Sequence, residues 1–326
     1  MSSLQTIIEQ LEARRTKTDA PYFVPGLWVD GLSTAAVQVN PFAFFHRRLS
    51  EIASAPHEAQ IAFLLDYDSL WAVQLQPHHR DFDYMRHLFV FYRALQRLGL
   101  PADVLSVDAD LSPYKMVVVP TAALATERFA ASLHAFAEAG GTVLFGVRSG
   151  FKTTSNRFTD QPLPGLFRDL VGITVSDWHS LPPGASYDLS SSIPGLVGRA
   201  TVWAEALNPA ISDPQSIDPG LQMLAHYSSG PFSSYAALAE LKVGAGRALY
   251  LGWYPNGPQA EALLGYLATQ AGVLSLAAVP DGLIASRRGP HLMLLNFTEA
   301  PLVATVQGRT VVVGPRDVEV VKTIGS

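Results

Sequence analysis

Between residues 59 and 147, short apolar runs alternate with single helical segments, and this alternation restricts the fold more than any other feature of the chain. AQIAFLLDY (59–67) has the composition of a strand. YMRHLFVFYRALQRLG (84–99) sets Leu88, Phe91, Tyr92 and Leu95 on one helical face and stops at a glycine. ADVLSV (102–107) and the wholly apolar YKMVVVP (114–120) follow as strands. ERFAASLHAFAEAGG (127–141) is a helix with a glycine stop, and TVLFGV (142–147) is a fourth strand. Strands apolar on both faces, each followed by one helix, predict a parallel sheet covered on both sides. Right-handed crossovers would make this an α/β, doubly wound, mostly parallel sheet.

The organisation outside that stretch is looser. Leu4, Ile7, Ile8 and Leu11 fall at helical spacing and predict a short amphipathic N-terminal helix. An aromatic, turn-rich arm (20–45) and a helical stretch (46–53) come next. Beyond Gly150 lies a loop rich in Pro, Ser and Asn (151–165), then a helix at GLFRDLVG and a strand at ITVSDW. Residues 181–235 read as irregular and partly β. GRALYLGWYP (246–255) predicts a strong strand, and PQAEALLGYLATQAGV a helix. The last fifty residues alternate apolar and polar with a turn every eight to ten positions, the pattern of a small antiparallel β domain. The expected division is 1–57 (helix and arm), 58–274 (α/β domain) and 275–326 (β domain).

Composition narrows the function. A net charge of −5, with 23 Lys and Arg residues scattered singly, gives no basic stripe for a nucleic-acid backbone. With no cysteine, disulfides, thiolate metal sites and thiol nucleophiles are excluded together, which fits a cytoplasmic protein. No apolar run approaches the roughly 20 residues of a membrane-spanning helix, so no membrane partner is expected.

Several residues invite a chemical reading. Asp66 and Asp68 follow the first strand, where an open α/β sheet presents its ligand crevice, and paired carboxylates suit acid-base or metal chemistry. The plainer alternative is that they cap the turn, with Trp71 packing beneath. In HHRDFDYMRH (78–87), Asp83 and His87 stand four apart on the predicted helix, but no HExxH pattern or third ligand is evident; Asp81 or Asp83 more simply caps that helix. No metal or cofactor is therefore expected. GGTVLFGVRSG (140–150) has the glycine pair, apolar strand and sharp turn that carry a nucleophilic cysteine in class I glutamine amidotransferase-like folds. Here Val147 and Arg148 occupy that turn. Ser149 follows Gly146 by three residues, which breaks the G-x-S-x-G spacing. Arg148 and Ser149, with Asp66 and Asp68, remain candidates for lining a crevice. Trp71, Trp178, Trp203, Trp253, Tyr250 and Tyr254 could form a sugar-stacking surface, or else core and interface.

In order along the chain, FLLDYDSLWAVQ, FYRALQRLGLPADVLSVDADLSPYKMVVVP, FAEAGGTVLFGVRSGFKTTSNRFTDQPLPGLFRDLVGI and DWHSLPPG resemble the trimerisation domain of glycoside hydrolase family 42 β-galactosidases. WAEAL, GRALYLGWYP and HLMLLNFTEAPLVATV resemble the end of that domain and the small β domain after it. The resemblance covers roughly residues 58–326. Members of that family hydrolyse with two glutamates about 5 Å apart on an N-terminal (β/α)₈ barrel, which needs roughly 250 residues. Neither glutamate can be placed here, since Glu9, Glu12 and Glu51 fall on predicted helices.

The strand and helix order winds 59–147 as a flavodoxin-like or amidotransferase-like layer, and the resemblance implies a domain with no catalytic residue of its own. It implies self-association, threefold as in the family, with Trp71, Phe91 and Tyr92 as candidate interface residues. Two other expectations stand beside it. The chain could work in β-galactoside hydrolysis with a barrel-bearing partner, or act as a small-molecule or sugar sensor through the crevice near Asp66, Arg148 and Ser149.

Overall fold

The computed structural model describes residues 28–29, 32–33, 58–210 and 217–322. The predicted N-terminal helix and the helix over 46–53 lie outside the described residues. Of the arm, only the antiparallel pair β1 (Trp28–Val29) and β2 (Leu32–Ser33) is described. The chain divides into two compact units, one of residues 59–95 and 102–274, the other of 1–58, 96–101 and 275–326.

The first unit begins as its apolar pattern dictates. β3 (Ile61–Leu64) leads into α1 (Tyr67–Leu75) and α2 (Tyr84–Arg97), and the chain returns to β4 (Ala102–Leu105) alongside β3. β5 (Met116–Val119), α3 (Glu127–Glu138) and β6 (Thr142–Phe145) extend the parallel arrangement. Every residue of β3, β5 and β6 is buried, which is why these runs lack polar alternation.

Past β6 the architecture departs from expectation. After the short α4 (Arg168–Val171) come β7 (Ile173–Ser180), β8 (Tyr187–Ser191), β9 (Gly198–Pro209), β10 (Leu221–Tyr227), β11 (Ala236–Val243), β12 (Gly246–Leu251) and β13 (Trp253–Tyr254), before α5 (Gly257–Gln270). All these strands join one eleven-stranded sheet in the order β13-β9-β8-β10-β11-β12-β6-β5-β3-β4, with β7 on β9. Only β4, β3, β5, β6 and β12 run parallel to their neighbours in that series. β12 is antiparallel to β11, and the remaining pairings among β7–β11 and β13 are antiparallel.

The expectation of a doubly wound, mostly parallel sheet of the flavodoxin-like, class I glutamine amidotransferase-like type is therefore corrected: the sheet is mixed and mainly antiparallel, and the described residues hold only five α-helices. The cause is the segment over 181–235. Its Ser, Pro and Gly residues stand partly inside strands (Ser190 and Ser191 in β8, Gly198 and Pro209 in β9) and partly in the turns between them, and among the described residues no helix lies between Ile173 and Tyr254. Without a crossover helix, consecutive strands must pair antiparallel.

The second unit is antiparallel throughout. β14 (Leu283–Arg288) pairs with β15 (His291–Asn296), β16 (Leu302–Val306) with β17 (Arg309–Val313), and β18 (Val318–Lys322) closes on β15. Leu283, Ala285, Leu292, Leu294, Ala304, Val306 and Val313 form its core. The Asn296 side-chain amide donates to the carbonyls of Ala300 (2.8 Å), Val313 (3.1 Å) and Gly314 (2.8 Å), tying β15 to the turns around it.

Candidate functional site

The acids after the first strand are structural at one position and exposed at the other. Asp66 is the N-cap of α1: its Oδ1 accepts from the Asp68 amide (3.1 Å) and its Oδ2 from the Ser69 hydroxyl. The Ser69 oxygen accepts in turn from the Leu124 amide (3.1 Å), linking the cap to the loop after β5. Burial raises the Asp66 carboxyl above the usual carboxylate range, against these hydrogen bonds. Asp68 lies exposed in the first turn, where the helix dipole favours a negative charge. Trp71 does not pack beneath them; it points outward and is 56 % exposed.

Arg148 and Ser149 are buried, not crevice-lining. The turn after β6 is tight: a Cβ on Gly146 would stand 2.2 Å from the Pro120 oxygen. The Ser149 hydroxyl donates to the Gly146 carbonyl (2.8 Å) and accepts from the Ala122 amide (3.1 Å). It is wholly buried and fully used. Arg148, held at φ +64°, donates through Nη1 to the Pro77 carbonyl and through Nη2 to the Gln76 carbonyl, both at 2.8 Å. Its guanidinium lies 4.7 Å from the Phe82 ring centre and 4.9 Å from that of Trp203. Lys152 adds a bond from Nζ to the Gln76 side chain (2.7 Å), so both cations fasten the connection between α1 and α2.

Beneath Arg148 sits Glu205, which the sequence reading passed over. Its Oε1 accepts from the Arg148 amide (2.8 Å) and the Trp203 indole (2.7 Å), and its Oε2 from the Tyr250 hydroxyl (2.9 Å). It is fully buried, and that burial pushes its carboxyl up to about 7. The same burial brings Arg148 down to about 10. A lone acid in the otherwise apolar run of β9, with a tyrosine inside β12, was the available sequence signal. The knot joins the turn after β6, β9 and β12 to the α1–α2 connection.

The histidines of 78–87 are separated. His79 Nε2 is bonded to the Leu181 carbonyl (2.7 Å), while His78 lies exposed. His87 is enclosed by the rings of Phe82, Phe91 and Tyr254 with Nε2 on the Pro120 carbonyl (3.0 Å), and burial brings it down to about 3. Asp83 caps α2 by accepting from the Arg86 amide (2.6 Å). Among the described residues no group of three His, Asp or Glu side chains is placed to hold a metal ion.

The aromatic residues do not share one surface. Trp203, Trp253, Tyr250 and Tyr254 are buried, and Trp178 stacks on Phe158 at 5.6 Å. Phe91 is wholly buried inside its own unit and is thus a core residue, not an interface residue; Tyr92 is half-buried. What stays outside is α1. Ser69, Leu70, Ala72 and Val73 bury one of its sides, while Tyr67 (60 % exposed), Trp71 and Leu75 (73 %) form an apolar ridge at i, i+4 and i+8 on the other. Large exposed apolar ridges of this kind mark protein contacts.

Comparisons with known proteins converge on this unit. Residues 59–274 match the family model of the β-galactosidase trimerisation domain. β-Galactosidase Bga of Halorubrum lacusprofundi is 37 % identical over 250 residues, 74 % of this chain and 35 % of that protein. A β-galactosidase of Thermus thermophilus is 33 % identical over 273 residues, 83 % of this chain and 38 % of that protein. The chain thus spans a little over a third of the length of these relatives. The solved structure of the H. lacusprofundi β-galactosidase superposes with a TM-score of 0.74 at 34 % identity, covering 86 % of this chain and 42 % of that one. That of the Bacillus circulans sp. alkalophilus enzyme gives 0.77 at 22 % identity, a likeness of fold, over 87 % and 44 %.

Proposed function

Because this chain belongs to the family of β-galactosidase trimerisation domains, we propose that it is a noncatalytic assembly module that self-associates, threefold, through the outer face of α1. The observation that carries this role is the Tyr67–Trp71–Leu75 ridge, exposed in a unit whose family is described by its association. The placement of Asp66 and Glu205 argues against hydrolysis by either of them. Asp66 is spent on a helix cap and Glu205 on three buried hydrogen bonds, so neither offers a free acid to a glycosidic bond. A cysteine-free sequence suits work in the cytoplasm.

The length of the relatives favours a second role for the same module: organising a β-galactosidase whose barrel lies in other sequence, so that terminal β-galactosides are hydrolysed by the assembly. Mass measurement in solution combined with a chromogenic galactoside tests both. The purified chain should be oligomeric and inactive alone, and should gain turnover only when a barrel-bearing partner is added. Turnover by the lone chain would refute the noncatalytic role.

A further inference from the structure

Five asparagines occur in the chain, and only Asn256 is followed by glycine. The others precede proline (Asn40, Asn208), arginine (Asn156) or phenylalanine (Asn296). Asn256 is the N-cap of α5, and it is exposed. The amide carbon of an asparagine side chain and the backbone nitrogen of the next residue can close a five-membered ring, so attack of one on the other needs no second molecule. A side chain on the next residue ordinarily shields that nitrogen. Gly257 has none, and a Cβ built there would meet nothing within 4 Å. As the first residue of α5, Gly257 also has no intrahelical acceptor for its N–H.

The cap supplies the rest of the chemistry. Asn256 Oδ1 accepts from the Gln259 backbone amide at 3.0 Å. That bond fixes the side-chain amide and places a donor on the oxygen where negative charge develops when Cγ is attacked. Donors held in place this way stabilise an oxyanion.

We propose that Asn256 is a site of self-catalysed covalent conversion to aspartate and isoaspartate in the folded protein. The Gly257 nitrogen loses its proton and attacks Cγ. The N–Cγ bond forms, the Cγ–Nδ2 bond breaks, and Nδ2 leaves as ammonia with a proton returned to it. Water then opens the succinimide, at Cγ to give isoaspartate's isomer aspartate, or at the former backbone carbonyl to give isoaspartate. No electrons change hands.

The two products differ in what they do to α5. Aspartate keeps an oxygen for the Gln259 amide and preserves the cap. Isoaspartate routes the main chain through Cγ and displaces the carbonyl that accepts from the Ala260 amide (3.0 Å). It also disturbs the Asn256 amide, which donates to the Gln259 side-chain oxygen (3.0 Å). That oxygen holds the buried Trp253 indole (3.2 Å), and Gln259 Nε2 donates to the Val197 and Arg199 carbonyls (3.3 and 3.2 Å). Isoaspartate therefore loosens α5 from β9 beside Trp253.

The purified full chain is incubated at neutral and at mildly alkaline pH, then denatured, digested with trypsin and read by mass spectrometry. Residues 248–287 emerge as one peptide in which Asn256 is the only asparagine. That peptide should exchange ammonia for water, faster at the higher pH, and label with an isoaspartyl methyltransferase, while Asn156, Asn208 and Asn296 stay intact. Gly257→Ala, which the open space around Gly257 admits, should slow the exchange many-fold. An intact Asn256 in the folded chain, over a time in which a synthetic peptide of residues 250–262 converts, would overturn the proposal. So would equal rates in the parent and Gly257→Ala. Asn256→Asp reproduces the harmless product: it should unfold in urea like the fresh parent, and the isoaspartate fraction at lower urea, read by tryptophan fluorescence. Coincident curves for the isoaspartate fraction and Asn256→Asp would overturn the proposed loosening of α5.

Discussion

Replacing Glu205 with glutamine should alter how the stability of this protein depends on pH. The Glu205 carboxyl is pushed up from 4.5 to about 7 by burial, so ionising it costs more in the folded than in the unfolded chain. Its contribution is fully present below pH 4.5 and is lost as pH rises through 7. At about 1.36 kcal/mol per pKa unit, a rise of roughly two and a half units removes about 3 kcal/mol by pH 8. His87 acts in the opposite sense. Burial lowers it from 6.5 to about 3, so its contribution is complete above pH 6.5 and is lost as pH falls toward 3. Between pH 4.5 and 6.5 the two slopes oppose each other, and the difference between variant and parent isolates the glutamate.

Glutamine resembles the protonated acid and retains the oxygen that accepts from Trp203 and Arg148. Urea unfolding followed by tryptophan fluorescence, at half-unit steps from pH 5 to 8.5, would read the effect. The two proteins should be close in stability near pH 5, and Glu205→Gln should gain about 3 kcal/mol over the parent by pH 8. Parallel curves across that range would refute the assignment of Glu205 as the buried titrating acid.

Other substitutions separate structural from surface roles. Asp66→Ala should cost about 1 kcal/mol by removing the α1 cap, whereas Asp66→Asn, which keeps an acceptor, should cost less in the same urea titration. Phe91→Ala should cost about 3–5 kcal/mol because its ring is wholly buried. Trp71→Ala, measured at concentrations where the chain is dissociated, should stay within about 0.5 kcal/mol of the parent. Arg148→Met removes the donors to the Gln76 and Pro77 carbonyls and the cation beside Glu205. Its cost should reach about 3–5 kcal/mol and be greater at pH 8 than at pH 5, since a buried carboxylate then loses its counter-charge.

What could be seen in the sequence followed from periodicity. The runs that became β3, β5 and β6 are buried on every residue, and their apolar continuity announced it. α2 was legible because Leu88, Phe91 and Leu95 share a buried face. α1 was not, because both its sides are apolar: Leu70 and Val73 face the core while Trp71 and Leu75 face out, which erases the helical period. Only the Asp66 cap marked it, and those acids read equally well as site residues. The antiparallel strands over 181–235 were hidden for another reason. β8 and β10 carry exposed serine, aspartate, glutamine and histidine, so their partners across the sheet, not their own hydrophobicity, make them strands. Glu205 was hidden too, since its role depends on Arg148, Trp203 and Tyr250 arriving from distant segments.

Sedimentation equilibrium across micromolar concentrations, on the parent chain and on Trp71→Asp, tests self-association through α1 most directly. The parent should sediment at three times the mass of one chain and Trp71→Asp at one times that mass, with the same far-ultraviolet circular dichroism. A monomeric parent, or a Trp71→Asp variant that remains fully associated, would contradict the assignment.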